Sequence, residues 1–228
     1  MRVVNWNIDR GLRLPEIIDF LGSQNADLLI LQEVDFNARR TRRLNIAEEI
    51  ARRLGMNYVF GREFEELTQG SRTSPAYHGQ ATLSRWRLVN PRVIRFRRQS
   101  NFWRPRWFLP RTEPFQERLG GRIALVTEIE GAGRDLTVYN LHLESRGNHD
   151  IRLEQMEEVL EDAARHAFQS PTLINSRRSE FRCLVRFSDR RNSGLWLPEC
   201  SWTAVSLHNT GAWVIPAPAH NRLGIRIR

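Results

Sequence analysis

The chain contains no lysine, so every one of its 35 basic residues is an arginine. Two cysteines, Cys183 and Cys200, in 228 residues are too few for a disulfide framework and fit a reducing compartment. No apolar run approaches the roughly 20 residues that a membrane-spanning helix needs. The opening MRVVNWNI lacks the charged, apolar and cleavage regions of a signal peptide, so the cytoplasm is the expected compartment. Internal repeats and Gly/Ser linkers are also missing from the pattern. A hydrophobic content of 40% with 9% aromatics excludes a mostly disordered chain, and the length fits one sizeable domain or two small ones.

The charge is unevenly spread. Residues 1–174 hold 26 Arg against 23 Asp and Glu, whereas residues 175–228 hold 9 Arg against 3. Two thirds of the net charge of +9 therefore lies in the last quarter of the chain, together with both cysteines. A basic tail of this kind is one way to hold nucleic acid.

Up to residue 174 the pattern alternates between strands and helices. Val3–Asn7 reads as a first strand, and Pro15 suits the first turn of a helix with Leu14, Ile17, Ile18 and Leu21 on its apolar face. Asp27–Leu31 is a continuous apolar run closing on Gln32 and Glu33, as in a strand buried on both faces. Leu44–Leu54 reads as a second helix stopped by Gly55. Further strands are expected at Asn57–Phe60, Gly79–Ser84, Arg122–Glu130 and Leu136–Leu143. A third helix is expected after an Asp150 N-cap, with Leu153, Met156, Leu160 and Ala163 in the core. Pro171–Ile174 opens another strand. After Ile174 no period of 2 or 3.6 is sustained. The chain thus divides into an α/β part, 1–174, and a basic tail, 175–228.

Three segments place a polar group at the C-terminal end of an apolar strand, where α/β folds gather ligand sites: VVNWNID with Asn7, LLILQEVD with Glu33 and TVYNLHLES with His142. Each residue also has a plainer reading. Asn7 can bond the backbone of its own turn, Glu33 can be a solvated carboxylate, and His142 can be a structural histidine. Arg39, Arg40, Arg42 and Arg43 read as a solvated loop face, and Phe102–Phe115 as a long loop whose tryptophans pack down.

Trp6-Asn7, Leu31-Gln32-Glu33 and Asn140-Leu141-His142-Leu143, in this order and followed by the helix RLEQMEEVL, resemble the endonuclease/exonuclease/phosphatase superfamily. The resemblance implies a four-layer α/β sandwich of two packed sheets with outer helices. It implies metal-assisted, in-line attack of water on a phosphoester. Glu33 would be the principal ligand of Mg²⁺ or Mn²⁺, with Asn7 positioning metal and phosphate, and His142 would stabilise charge on the transition state. The substrate would be a nucleic acid, a phospholipid or a sugar phosphate.

Two further motifs of that family are missing. After Ile174, where G-D-x-N belongs, the chain reads Asn175-Ser176-Arg177-Arg178, and no S-D-H occurs near the end. With suitable codons, NSRRSEFRC read one base later becomes T-A-G-D-L-N-F-D, and NRLGIRIR becomes T-D-W-V-F-V-S. A frameshift near codons 173–175 is therefore expected, with an out-of-frame tail that leaves the sandwich incomplete, its strand edges bare and the chain catalytically crippled. The alternatives are a non-catalytic nucleic-acid-binding remnant or a pseudogene product without function.

Overall fold

Leu28, Leu29, Ile30 and Leu31 are all fully buried because their strand lies at the centre of four layers. In the computed structural model, which describes residues 1–103, 108–110, 117–131, 135–145, 149–166, 172–176, 182–185, 205–206 and 213–215, this strand is β2 (Leu28–Phe36). It runs parallel to β1 (Val3–Arg10) on one side and antiparallel to β4 (Tyr77–Ser84) on the other. Alternation along the strand turns Leu29 and Leu31 outward, onto Ile17 and Leu21 of α1 (Leu14–Gln24) and Ile46 and Ile50 of α2 (Ile46–Leu54). Leu28 and Ile30 turn inward, onto a second sheet, where they meet Ile129 of β7 (Ile123–Glu130) and Leu136 and Val138 of β8 (Leu136–Leu141). The far face of that sheet carries Ala124, Val126, Tyr139 and Leu141, which pack on Met156, Val159 and Ala163 of α3 (His149–His166). Helices, sheet, sheet and helix make the α/β sandwich that the sequence implies.

The remaining strands extend both sheets. With β3 (Asn57–Glu66), β6 (Arg118–Gly120), β11 (Val205–Ser206) and β12 (Trp213–Ile215), the first sheet has the order β11-β12-β1-β2-β4-β3-β6. With β5 (Arg87–Arg95), β9 (Thr172–Ser176) and β10 (Arg182–Val185), the second has the order β10-β9-β8-β7-β5. The expectation of bare edges is corrected here: β12 lies antiparallel to β1, and β10 antiparallel to β9. Strand β5 escapes a period-2 reading because Pro91 sits where its register against β7 shifts, between Val89 and Arg92.

Two helices differ from expectation, α2 in its start and α3 in its phase. Helix α2 starts at Ile46, because the Asn45 side chain accepts from Glu48 N at 3.3 Å, and it ends at Gly55 with φ 65°. Helix α3 starts at His149, which puts Asp150 inside its first turn rather than at the N-cap. Leu153 and Leu160 are 38% and 43% exposed, and the buried stripe runs through Ile151, Gln155, Met156, Val159, Asp162 and Ala163. Two polar residues belong to that stripe because each has partners. Asp162 accepts from the Tyr139 hydroxyl at 2.7 Å and pairs with Arg92, and Gln155 accepts from Glu144 N at 2.9 Å and donates to Arg98 O at 3.0 Å. Among the described residues no helix is long and apolar enough to cross a membrane.

Candidate active site

Three of four neighbouring strands lose register at one level. Strand β1 slips between Asn7 and Arg10, β2 between Gln32 and Val34, and β3 between Arg62 and Phe64, while β4 runs through without interruption. A bulge re-aims the extra residue, and here the extra residues of β2 and β3 are both carboxylates, Glu33 and Glu63. Glu33 adopts φ 53°, a left-handed conformation that costs a non-glycine residue energy. Between the two bulges lies Gly79, where a Cβ would collide with the Gly61 carbonyl, so only glycine lets β3 come this close.

Glu63, fully buried, meets His142 just beyond β8. Its Oε2 is 2.9 Å from His142 Nδ1, and its Oε1 takes a short bond from Arg122. The Arg122 guanidinium also lies against the imidazole, with Nη1 2.8 Å from Nδ1 and 3.2 Å from Nε2, and donates through Nη2 to Ser145 Oγ at 3.1 Å. Burial pushes the Glu63 carboxyl up, but His142 and Arg122 outweigh it and pull it down to about 2. Burial holds the His142 imidazole below its ordinary value, with Arg122 adding to the effect against Glu63 and Glu33. Glu63 is therefore ionised and His142 neutral near pH 7.

The structure brings two of the sequence candidates together: His142 Nε2 lies 3.8 Å from Glu33 Oε1. Asn7 stands apart from the cleft lining. Its Oδ1 accepts from Asp9 N at 3.1 Å, which is the turn-bonding role, while its Nδ2 is buried without a hydrogen-bond partner.

Glu33 and His142 share a cleft of about 170 Å³ with Arg10, Arg118, Arg122, Ser145 and His78, and with an aromatic wall of Phe64, Phe102 and Trp103. Trp103 does pack down, its Nε1 donating to Glu144 Oε2 at 2.7 Å, whereas Phe102 and Phe108 stay partly or largely exposed. Trp107 lies outside the described residues. Arg40 corrects the picture of a solvated arginine face, because it bonds the buried carboxylates of Asp35 and Glu66.

Glu63, Arg122, His78 and Asp35 escaped the sequence reading. The bulge that aims Glu63 breaks the alternation that would have marked it, and Arg122 stands one residue before its strand. For Asp35 and His78 a signal existed: Asp35 lies within LLILQEVD, and His78 is the polar lead-in to the strand expected at Gly79–Ser84.

Other motif residues hold the two sheets together. Gln32 Nε2 donates to Asn140 Oδ1 at 2.9 Å and Asn5 Oδ1 at 2.8 Å, and Asn140 Nδ2 donates to the carbonyls of Leu31 and Ala81, both at 3.0 Å. This fully buried clip fixes β8, and with it His142, against the strand that carries Glu33.

Among the described residues no group of three or more His, Cys, Asp and Glu side chains is arranged to hold a metal ion. Glu33 is a hard carboxylate on the cleft, the donor type that Mg²⁺ or Mn²⁺ takes alongside water and substrate phosphate. The donor set thus fits a weakly held ion and not an all-protein cage.

Comparison with known proteins agrees with this fold. A solved endonuclease/exonuclease/phosphatase from Beutenbergia cavernae DSM 12333 is 18% identical with TM-score 0.55, over 76% of this chain and 46% of that one. ANGEL2, a 2',3'-cyclic phosphatase, is 19% identical with TM-score 0.53, over 77% and 51%. TDP2 from D. rerio, solved with a single-strand DNA product, is 16% identical with TM-score 0.51, over 77% and 59%. The chain therefore spans about half the length of the structures it resembles, and at these identities the likeness is one of fold. No curated protein sequence matches it. The sequence pattern of the Endonuclease/Exonuclease/phosphatase family matches residues 4–174, and the chain belongs to that family.

Proposed function

We propose that the cleft binds and hydrolyses phosphoesters with the help of Mg²⁺ or Mn²⁺. One observation carries the reading: Glu33, the one carboxylate among the described residues of the cleft, faces His142 at 3.8 Å, with Arg10, Arg118 and Arg122 as the other charged walls described there. Three guanidinium groups suit a phosphate, and the carboxylate suits a cation beside it. Family membership and the fold shared with TDP2 and ANGEL2 support the same chemistry.

Glu33 would hold the ion, with Asn7 steadying the same strand level from β1. When bound, the ion supplies Lewis-acid charge to a phosphoryl oxygen. Arg122 and Arg118 orient the phosphate. As negative charge builds on its oxygens, His142 Nε2 takes up a proton and donates it as a hydrogen bond, while Glu63 balances the imidazolium. The substrate is a nucleic acid, phospholipid or sugar phosphate.

Residues 1–174 supply all of this, and residues 175–228 contribute no described residue to the cleft. Without G-D-x-N and S-D-H the carboxylate that activates water is lacking, so the chain turns over slowly or not at all. Mn²⁺ binding followed by electron paramagnetic resonance tests the site, and Glu33→Ala is expected to abolish it. Undiminished binding in that variant would sink the assignment. Brisk hydrolysis of bis-p-nitrophenyl phosphate by the unaltered chain, lost in Glu33→Ala, would keep the site and overturn the low turnover. Resequencing codons 170–182 decides whether a lost base removed G-D-x-N.

A further inference from the structure

Three adjacent strands set Asp35, His78 and Phe64 side by side. The register of β2 on β4 pairs Asp35 with His78, and that of β3 on β4 pairs Phe64 with His78. His78 Nδ1 lies 2.9 Å from Asp35 Oδ1, and its ring stacks on Phe64 with centroids 4.7 Å apart. An imidazole gripped at one nitrogen and one face is fixed in orientation. Asp35 is fixed in turn: it is fully buried and accepts from Arg40 Nε and Nη2 at 2.7 and 2.8 Å. Two guanidinium donors on one carboxyl group fit a carboxylate and not a protonated acid, so Asp35 is an acceptor here. Facing a carboxylate, Nδ1 carries the proton and Nε2 the lone pair.

That lone pair is unused. His78 forms part of the cleft wall, and among the described residues nothing bonds its Nε2. The charges around it are already balanced without an imidazolium. On the β2 and β3 side, Asp35 and Glu66 are offset by Arg40 and Arg118. Glu63 is offset by Arg122, whose own Nε is buried with no hydrogen-bond partner. Glu33, His142 and Arg10 complete the charged groups on the cleft. The chemistry assigned to Glu33 and His142 makes no use of His78.

We infer that His78 is a second anion-facing imidazole of this cleft: when a phosphate oxyanion binds, Nε2 takes a proton from solvent and donates it to the anion, with Asp35 as its positioning residue. The proton returns to solvent on release, so anion binding is proton-linked. The inference rests on the phosphoester reading of the cleft.

The test uses the full chain labelled with ¹⁵N-histidine, titrated with sulfate or dimethyl phosphate, neither of which changes charge near neutrality. Long-range ¹H–¹⁵N spectra follow His78 and His142, with His78→Gln assigning the first. Saturating anion is expected to move the His78 Nε2 resonance to its protonated position, and affinity is expected to fall roughly tenfold from about pH 6 to about pH 8. His78→Gln should bind with no such dependence, and Asp35→Asn should keep binding while losing its steepness. Should Asp35→Asn fail to fold, His78→Gln decides alone. If the anion shifts His142 and leaves His78 unmoved, the inference is wrong and the cleft reading stands. If neither histidine responds, both fall.

Discussion

Two carboxylate–imidazole pairs stand at one cleft, one bridging the two sheets and one within the first sheet, and they are built differently. Glu63 and His142 are closed in on every side, with Arg122 against both and Glu33 within ion-pair reach of the second imidazole nitrogen. Asp35 and His78 share only one contact, and the arginine behind them, Arg40, reaches solvent. The first pair ties the two sheets at a charged junction and turns the imidazole Nε2 toward Glu33 on the cleft. The second keeps the His78 Nε2 clear of protein bonds among the described residues. Burial alone therefore does not tell the two imidazoles apart; their partners do.

The sharpest way to break the comparison is to remove each arginine. Arg122→Ala leaves the Glu63 carboxylate buried without its cation and is expected to cost about 3–5 kcal/mol in urea unfolding. Arg40→Ala should cost less, about 1–3 kcal/mol, because Asp35 keeps His78 and solvent reaches the gap. Equal losses would mean that the two pairs are equally enclosed. Asn140→Ala strips the Leu31 and Ala81 carbonyls of their donor and Gln32 of an acceptor, for an expected loss of about 2–3 kcal/mol.

Acid should separate the pairs as well. Both His142 and Glu63 titrate lower in the folded chain than their ordinary values of 6.5 and 4.5, so the unfolded chain takes protons first. Their stability contributions are complete above those values and are lost on acidification, for Glu63 between pH 4.5 and about 2. The melting temperature should fall as pH drops below 6.5, and Glu63→Gln should flatten the lower part of that fall. A rising melting temperature would reverse the sign. The smallest effect is expected at Glu33→Gly, which relieves a left-handed backbone and stabilises by about 0.5–1 kcal/mol while losing Mn²⁺ binding.

The α/β alternation was legible because the central strands are continuous apolar runs and helices α1 and α2 carry clean stripes, and the sandwich itself followed from the motif resemblance. Helix α3 was misphased because Gln155 and Asp162 occupy core positions that hydrophobicity assigns to leucines. That Glu33 and His142 share a cleft was legible from short motifs at strand ends. Glu63 was not, since a bulge has no signature in composition. Asn7 was read for its chemistry, and its carbonyl oxygen proves committed to its own turn.

The amide of Asn140 also sets what kind of object the candidate site is. Glu33 belongs to one sheet and His142 to the end of a strand in the other, and a few buried side chains, Asn140 with its two carbonyls among them, hold the sheets in register. The site is in this sense a joint between two plates with a handful of rivets. Loosening one rivet would shift Glu33 against His142 before either plate came apart, so the cleft should lose its Mn²⁺ and anion binding at temperatures where both sheets are still intact.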